Sequence, residues 1–108
     1  MTVKVLVERW VKAGYESTVW DTLRQLRAEA VRSRGYIYGE TWRSVDNPRV
    51  FVVLSVWASL EHWRTWADGE FRRKIEDRIT PLLRRPTIIR FFEDAYDPPP
   101  VLSSRRDS

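Results

Sequence analysis

One segment of this chain carries apolar side chains on both faces of a strand, and this limits the folds available to it. The segment is VFVVLSVWA, residues 50–58. Its two faces carry Val50, Val52, Leu54 and Val56 on one side, and Phe51, Val53 and Trp57 on the other. A strand in an antiparallel sheet with one wet face alternates apolar and polar residues. Because that alternation is missing, we expect both faces of the sheet to be covered.

The neighbouring segments predict the element order βαββαβ. Alternating, β-branched or aromatic runs predict strands at residues 3–11, 36–44, 50–58 and 86–94. Apolar spacing predicts a helix at 16–34, stopped by Gly35, and a second helix that Ser59 caps, Gly69 interrupts and Pro81 limits. This order is the split βαβ plan. We therefore predict an α+β, ferredoxin-like fold: a four-stranded antiparallel sheet in the order 4-1-3-2, with two helices on one face.

Two helices cover only one face of this sheet, so the second face needs a partner. The simplest partner is another copy of the chain, which predicts an isologous homodimer joined through the sheet face. The alternative is that the C-terminal tail folds back over the sheet. We place the domain at residues 1–94 and a Pro- and Ser-rich tail at 95–108. The three consecutive prolines at 98–100 cannot pair in a ladder, which favours the homodimer.

Composition removes several functional classes. The chain has no cysteine and one histidine, His62, so thiolate chemistry and a multi-histidine metal site are excluded and no metal is expected. The four glycines are scattered, so no phosphate loop or nucleotide cofactor is expected. The net charge of +4 is spread along the chain and predicts no nucleic-acid partner. No apolar run is long enough for a membrane span and no signal peptide is recognisable, so a cytoplasmic location is the default.

Tryptophan is concentrated in the segment SVWASLEHWRTWADGEF at residues 55–71, which holds three of the chain's six. Aromatic walls are typical of small-molecule pockets. The candidate pocket residues are Trp66, Trp63, Tyr36, Tyr38 and Phe71. The alternative is that these rings form the core, and Trp63 fits that reading because it shares a helical face with Leu60 and Ala67. We expect Trp57 to be structural and Trp66, just before Gly69, to be a pocket wall.

Candidate catalytic groups are few. His62 is the one side chain whose ordinary pKa lies near neutrality, so it is a candidate base, although its position one residue off the Trp63 face also fits a partly exposed helix start. Arg9 could stabilise a substrate oxyanion, as could Arg43 or Arg90. The alternative for these strand arginines is an ion pair with a glutamate on a neighbouring strand, for example Arg9 with Glu93.

The segment VVLSVWASLEHWRTWADGEFRRKIEDRI, together with the element order, resembles the antibiotic biosynthesis monooxygenase (ABM) domain over residues 3–94. Trp57-Ala58-Ser59 matches the family's Trp-x-Ser step, and Trp66 lies where the family places an aromatic residue or histidine. The resemblance implies a dimeric α+β barrel with a small-molecule cavity between sheet and helices in each protomer. Some members are cofactor-independent oxygenases of anthrones, quinols and other electron-rich aromatics, and others bind and degrade haem.

The haem-degrading branch uses an asparagine on the first strand, a tryptophan and a later histidine. Trp66 matches the tryptophan, but Val7 stands at the first position and Ile75 or Glu76 at the third, so the resemblance does not extend to haem degradation. The leading functional hypothesis is a cofactor-independent monooxygenase of a small aromatic or polyketide-like ligand, with no cofactor. The alternatives are a non-catalytic small-molecule or haem-binding homodimer, and a purely structural dimer whose cavity is filled by side chains.

Overall fold

The computed structural model describes residues 1–95 and contains one antiparallel sheet with helices packed on one of its faces. In chain order the elements are β1 (Val3–Trp10), α1 (Glu16–Ala30), β2 (Tyr36–Arg43), β3 (Val50–Trp57), α2 (Leu60–Ala67), α3 (Glu70–Ile79), a short 3-10 helix (Thr80–Leu82) and β4 (Ile88–Phe92). The strand order is β2-β3-β1-β4, with every neighbouring pair antiparallel. The predicted ferredoxin-like α+β fold and its strand order are confirmed.

The second predicted helix is divided into α2 and α3. The Ser59 hydroxyl caps α2 by accepting a hydrogen bond from the His62 backbone N–H, as its position before the helix predicted. The helix ends at Ala67, and Gly69, with an extended backbone, precedes α3. The sheet is therefore packed against three helices within residues 1–95, rather than two.

The first helix is shorter than its apolar pattern predicted. It ends at Ala30, and the chain then turns through residues 31–34 before β2 begins. The Ser33 N–H donates to the Ala30 carbonyl, which tightens this turn. Gly35 ends the turn with φ of 88°, a conformation that side chains with a Cβ rarely adopt. Gly35 thus directs the chain into β2 and does not stop the helix itself.

Alternation along β1 separates the two faces of the sheet. Val3, Val5, Val7 and Arg9 are buried toward the helices, while the residues between them are only half-buried. The helix-covered face has two apolar clusters. One joins Val11, Val19, Leu23, Leu26, Phe51, Ile75, Ile79 and Leu83, and the other joins Val3, Val5, Val7, Trp57, Trp63 and Ala67. Trp66 packs against both clusters, so its ring lies at the junction of the core.

The opposite face of the sheet, which we call the open face, is also largely apolar. Paired positions of the three longer strands place on it Leu6, Val52, Leu54, Val56, Tyr38 and Trp42. The buried residues of all three helices pack on the other face. The homodimer stays a prediction, and the tail proposed as the alternative cover lies, from residue 96 onward, outside the described residues. Within residues 1–95, no helix has the length and apolar character needed to cross a membrane.

Candidate functional site

A small cavity lies between the sheet and the helices, and we call it the inner cavity. Its volume is about 50 Å³. The side chains that matter for its chemistry are Arg9, Tyr36, Trp57, Trp63, Trp66 and Arg72. Strand alternation brings Arg9 and Trp57 to this face, and α2 and α3 contribute Trp63, Trp66 and Arg72. Tyr36 reaches it because the pairing of β2 with β3 shifts register between Tyr36 and Tyr38, which puts these two tyrosines on opposite faces of the sheet. The cavity therefore combines an aromatic wall with two guanidinium groups.

The aromatic wall is held by ring contacts and one hydrogen bond. Trp57 is fully buried, and its Nε1–H donates to the Ser55 hydroxyl at 2.9 Å. Tyr36 meets the Trp57 ring edge-on at a centroid distance of 5.3 Å. Trp66 stacks on Trp57 at 6.2 Å with 24° between the ring planes. Such contacts fix ring orientation, so the wall is largely preformed.

A second concavity, the outer groove, opens to solvent between the end of α1, α2 and α3. Its volume is about 600 Å³, which is within the range of small-molecule sites. His62, Trp66, Phe71 and Arg72 line it, together with charged and polar residues that include Arg34 and the glutamates Glu29, Glu61 and Glu70. Trp66 and Arg72 line both the outer groove and the inner cavity. These two side chains therefore form the boundary between the two spaces.

The two arginines share one carboxylate. Arg9, only 1% exposed, donates from Nη2 to Glu76 Oε2 at 2.5 Å. Arg72 Nη2 lies 3.4 Å from the same oxygen. The predicted pairing of Arg9 with Glu93 is wrong, because Arg9 points toward the helices and reaches α3. The strand-to-strand pair that does form within residues 1–95 is Arg90 with Glu8, at 3.7 Å.

Arg72 is held between a carboxylate and a ring. Its guanidinium carbon lies 5.5 Å from the centroid of the Trp63 ring, a cation–π contact. Burial lowers the pKa of Arg72, while the Glu76 carboxylate acts in the opposite direction. The ordinary pKa of arginine is so high that the group stays charged at neutral pH. Arg72 therefore presents a cation to the boundary between groove and cavity.

His62 is positioned by two contacts at the start of α2. Its Nδ1 lies 2.7 Å from the Ser59 hydroxyl oxygen. Its ring also lies against Gly35, where an added Cβ would be 2.3 Å from the imidazole Cγ. Gly35 is therefore required by both its backbone conformation and this close approach. Its contacts with Ser59 and Gly35 give the imidazole a defined orientation beside the outer groove.

The structure divides the predicted site residues among three places. Arg9, Tyr36 and Trp63 line the inner cavity, His62 and Phe71 line the outer groove, and Trp66 lines both. Trp63 is 8% exposed and belongs to an apolar cluster, so it is both core and cavity wall.

Tyr38 lies apart from the other predicted pocket residues. It pairs with Val56 on the open face, and its hydroxyl donates to Glu40 Oε2. The Trp42 indole N–H donates to the other oxygen of Glu40 at 2.8 Å. These bonds lower the pKa of Glu40, the Tyr38 bond most, and the Glu40 carboxylate raises the pKa of Tyr38 above its ordinary 10.0. Tyr38 therefore belongs to a hydrogen-bonded group on the surface.

The sequence analysis does not identify Arg72 or Glu76 as residues of the candidate site. It identifies Ser59 as a helix cap but not as the partner of the His62 ring. One signal was present, because Arg72 and Glu76 are four residues apart and so lie on one side of a helix. Arg72 lies three residues before Ile75 and Glu76 directly after it, and the spacing of Ile75 to Ile79 indicates the buried side of α3. What could not be read from the sequence is that this side faces Arg9.

The residues of the candidate site, within the described part of the chain, provide few side chains that could bind a metal ion or haem. Within residues 1–95 no group of three or more His, Asp or Glu side chains could hold a metal ion. The two positions that differ from the haem-degrading pattern, Val7 and Ile75, are buried apolar side chains. Glu76 is engaged by Arg9. These residues do not fit a haem-degrading site.

The fold and the cavity define the chain as a ferredoxin-like domain with a small aromatic cavity between its sheet and helices. The family model for antibiotic biosynthesis monooxygenases matches residues 2–78. The chain therefore belongs to the antibiotic biosynthesis monooxygenase family. No curated protein sequence matches it.

Solved structures show the same architecture. A conserved protein from Methanosarcina mazei Go1 is 16% identical, with a TM-score of 0.81 over 85% of this chain and 91% of its own. The protein Rv0793 from Mycobacterium tuberculosis is 14% identical, with a TM-score of 0.82 over 89% and 97%. SnoaB, a cofactor-independent oxygenase from Streptomyces nogalater, is 15% identical, with a TM-score of 0.79 over 88% and 94%. At these identities the likeness is one of fold.

Proposed function

We propose that the chain is a cofactor-independent monooxygenase of a small, electron-rich aromatic substrate of the quinol, anthrone or polyketide type. The observation that carries the proposal is the position of Trp66, which lines both a groove of about 600 Å³ and the aromatic inner cavity. A flat ring system can lie in the groove against Trp66 and Phe71. Membership of the antibiotic biosynthesis monooxygenase family and the shared fold with SnoaB support the same reaction class.

The reaction needs no external electron donor if the substrate supplies the electrons. In an anthrone, the methylene carbon between the aromatic rings first loses a proton to give an enolate. The enolate then gives electrons to O₂ and forms a carbon–oxygen bond. Loss of the second hydrogen and cleavage of the oxygen–oxygen bond leave a carbonyl on carbon and release one water. One CH₂ and one O₂ thus become one C=O and one H₂O.

The protein's part in this chemistry is to favour the enolate and exclude water. His62 beside the groove is the candidate base. That role needs the tautomer in which Nδ1–H donates to the Ser59 hydroxyl oxygen, leaving Nε2 free to accept a proton. The buried cation of Arg9 is the candidate stabiliser of the enolate oxygen, since a fixed positive charge away from water favours the anion. The tryptophan wall provides the dry surface.

Oxygen uptake tests the proposal. Purified protein is incubated with a panel of anthrones and quinols and no added cofactor, and the oxygen concentration is followed with an electrode. We expect uptake above the spontaneous rate, with the carbonyl product formed in equal amount. Trp66→Phe lowers kcat/KM, because the smaller ring leaves the groove wall incomplete. Trp20→Phe, in α1 and outside both spaces, is the matched control and keeps the wild-type rate.

His62→Ala separates two versions of the mechanism. If His62 is the base, the variant loses about 10²- to 10⁴-fold in kcat, the usual contribution of a positioned base. If the substrate ionises without it, uptake survives in His62→Ala and still falls in Trp66→Phe. Uptake by the wild type that both Trp66→Phe and His62→Ala leave unchanged would contradict the proposed site.

A non-catalytic binding protein is the second candidate, and the size of the inner cavity favours it. A volume of about 50 Å³ does not enclose a polycyclic substrate together with oxygen. Under this hypothesis the same aromatics quench tryptophan fluorescence on binding, but no substrate of the panel is consumed. Quenching without oxygen uptake would therefore favour the binding protein over the oxygenase.

We also propose that the open face joins two copies of the chain into a homodimer. The face carries aliphatic side chains at the centre of the sheet, with Tyr38 and Trp42 beside them. An apolar sheet face of this kind is unfavourable in water, and a two-fold partner covers it with an identical surface. The site lies on the other side of the sheet, so dimerisation leaves the outer groove accessible.

A further inference from the structure

The residues that line the inner cavity include three arginines and one glutamate, Glu40, whose carboxylate is bonded to Tyr38 and Trp42 on the open face. Arg9 and Arg72 both reach the cavity, and both contact the same oxygen of one carboxylate, that of Glu76. A third arginine, Arg27, edges the cavity and donates to the Gly39 carbonyl at 3.0 Å, which contributes no negative charge. Among the charged side chains that reach the inner cavity, positive charge is therefore in excess.

Arg9 has one donor without a partner. Its Nε is buried and makes no hydrogen bond, and it is the only such side-chain nitrogen or oxygen found within residues 1–95. The whole side chain is 1% exposed. A buried donor on a charged group that has lost water without gaining an acceptor costs free energy. An acceptor oxygen brought to the cavity by a ligand would remove that cost.

Volume indicates which part of a ligand can reach Arg9. A space of about 50 Å³ takes only a small group, since a cavity that holds one benzene ring measures about 150 Å³. A carboxylate or a single ring oxygen is of that size, and a ring system is not. The outer groove beyond Trp66 and Arg72 is large enough for the rings.

We propose that the site recognises an acidic aromatic ligand, whose anionic oxygen enters the inner cavity between Arg9 and Arg72 while its rings occupy the outer groove. This inference rests on the proposed function only for the location of the site. The anionic oxygen has two sources, a carboxylate that the ligand carries or a phenolate or enolate formed on binding. A guanidinium binds each of them by charge-assisted hydrogen bonds.

Binding measured without oxygen consumption tests this inference separately from the reaction. The probes are 1-naphthoate and its neutral analogue of equal shape, 1-naphthamide, titrated by calorimetry under nitrogen. We expect 1-naphthoate to bind about 10- to 100-fold more tightly, the effect of one charged hydrogen bond. 1-Naphthol is the third probe, and binding that tightens as pH rises toward its pKa identifies the phenolate as the preferred anion.

Variants decide whether the arginines cause the preference. Arg72→Gln is expected to abolish the advantage of the acid over the amide, while Arg73→Gln, the exposed neighbour on α3, keeps it. Glu76→Gln removes the competing carboxylate and is expected to tighten 1-naphthoate binding several-fold, a gain that a merely structural role would not give. Circular dichroism confirms that each variant is folded.

Three results would overturn the inference: equal binding of acid and amide, an acid preference that Arg72→Gln leaves intact, or no binding of 1-naphthoate or 1-naphthol at millimolar concentration. The reaction can fail independently. An acid preference without oxygen uptake removes the oxygenase and keeps the acidic ligand. Oxygen uptake with neutral substrates, together with equal binding of acid and amide, keeps the oxygenase and removes the acidic ligand.

Discussion

Gly35 and Gly14 have the same unusual backbone conformation but different surroundings. Their φ angles are 88° and 91°. An added Cβ at Gly35 would meet the His62 ring, whereas at Gly14 it would meet nothing within 4 Å. The pair therefore separates the backbone cost of a side chain from the cost of a steric clash.

We expect Gly14→Ala to lower the free energy of unfolding by about 1–2 kcal/mol, the cost of a left-handed conformation for a residue with a Cβ. Gly35→Ala should cost about 1–3 kcal/mol more, because the His62 ring must also move. Urea denaturation measures both values, and the NMR signals of the His62 ring should shift in Gly35→Ala alone. Equal destabilisation by the two variants would show that the contact with His62 is unimportant.

Tyr38 and Glu40 form a hydrogen-bonded pair on the open face, and this bond shifts the pKa of both groups. The pKa of Tyr38 is raised above 10.0, first by its hydrogen bond to Glu40. We expect Glu40→Gln to lower the pKa of Tyr38 toward that value, measured by tyrosinate absorbance at micromolar protein concentration. Glu61→Gln, at the start of α2, is the control and leaves the curve unchanged.

The sign of the effect on stability follows from the direction of the shift. A group whose pKa is raised by folding contributes stability below its ordinary value and loses that contribution as pH rises through the raised value. The wild type should therefore lose more stability than Glu40→Gln above pH 10.0. A tyrosinate curve identical in the two proteins would contradict the assigned hydrogen bond.

At the scale of elements, Glu76 connects α3 to β1. Glu76→Ala leaves Arg9 buried without its carboxylate, and removal of one partner from a buried pair costs about 3 kcal/mol or more. Glu70→Ala, on the same helix, breaks an exposed pair with Lys74 and should cost less than about 1 kcal/mol. Urea denaturation compares them. The double variant Arg9→Met/Glu76→Leu should recover most of the loss, and failure to do so would argue against an unpaired charge as the cause.

Strands were more predictable than helix ends, for physical reasons. Side chains alternate along a strand, so parity alone assigned Val50 and Phe51 to opposite faces of β3, as the pairing shows. Arg9 shares the parity of the buried valines of β1, but parity predicts neither which face the helices cover nor that Glu76 is the partner of Arg9. That contact depends on how α3 rotates over the sheet, which tertiary packing determines. For α1 the sequence pattern predicts an end four residues beyond Ala30, because residues 31–34 lack a strong breaker before Gly35.

At the scale of the whole molecule, we expect the open face to determine whether the chain is a monomer or a homodimer. Leu54 lies between Leu6 and Glu40 on this face. In Leu54→Lys, the new ammonium group can pair with the Glu40 carboxylate in a single protomer, whereas a dimer would bury the ammonium group. We expect light scattering to report a dimer for the wild type and a monomer for Leu54→Lys.

The matched control is Gln25→Lys, which adds the same charge on the exposed side of α1 and should remain dimeric. A wild-type monomer at high concentration, or a dimer that Leu54→Lys leaves intact, would contradict an interface on the open face.

The stack of Trp57 on Trp66 also has an optical consequence. Two indoles 6.2 Å apart absorb as a coupled pair, so their near-ultraviolet circular dichroism differs from the sum of two separate rings. Trp57 is buried in the sheet, so its ring is fixed, whereas the Trp66 ring borders the outer groove and would contact a bound ligand. Displacement of Trp66 by a ligand would uncouple the pair. The near-ultraviolet circular dichroism of the protein therefore reports movement of Trp66 when a ligand binds, without an attached label.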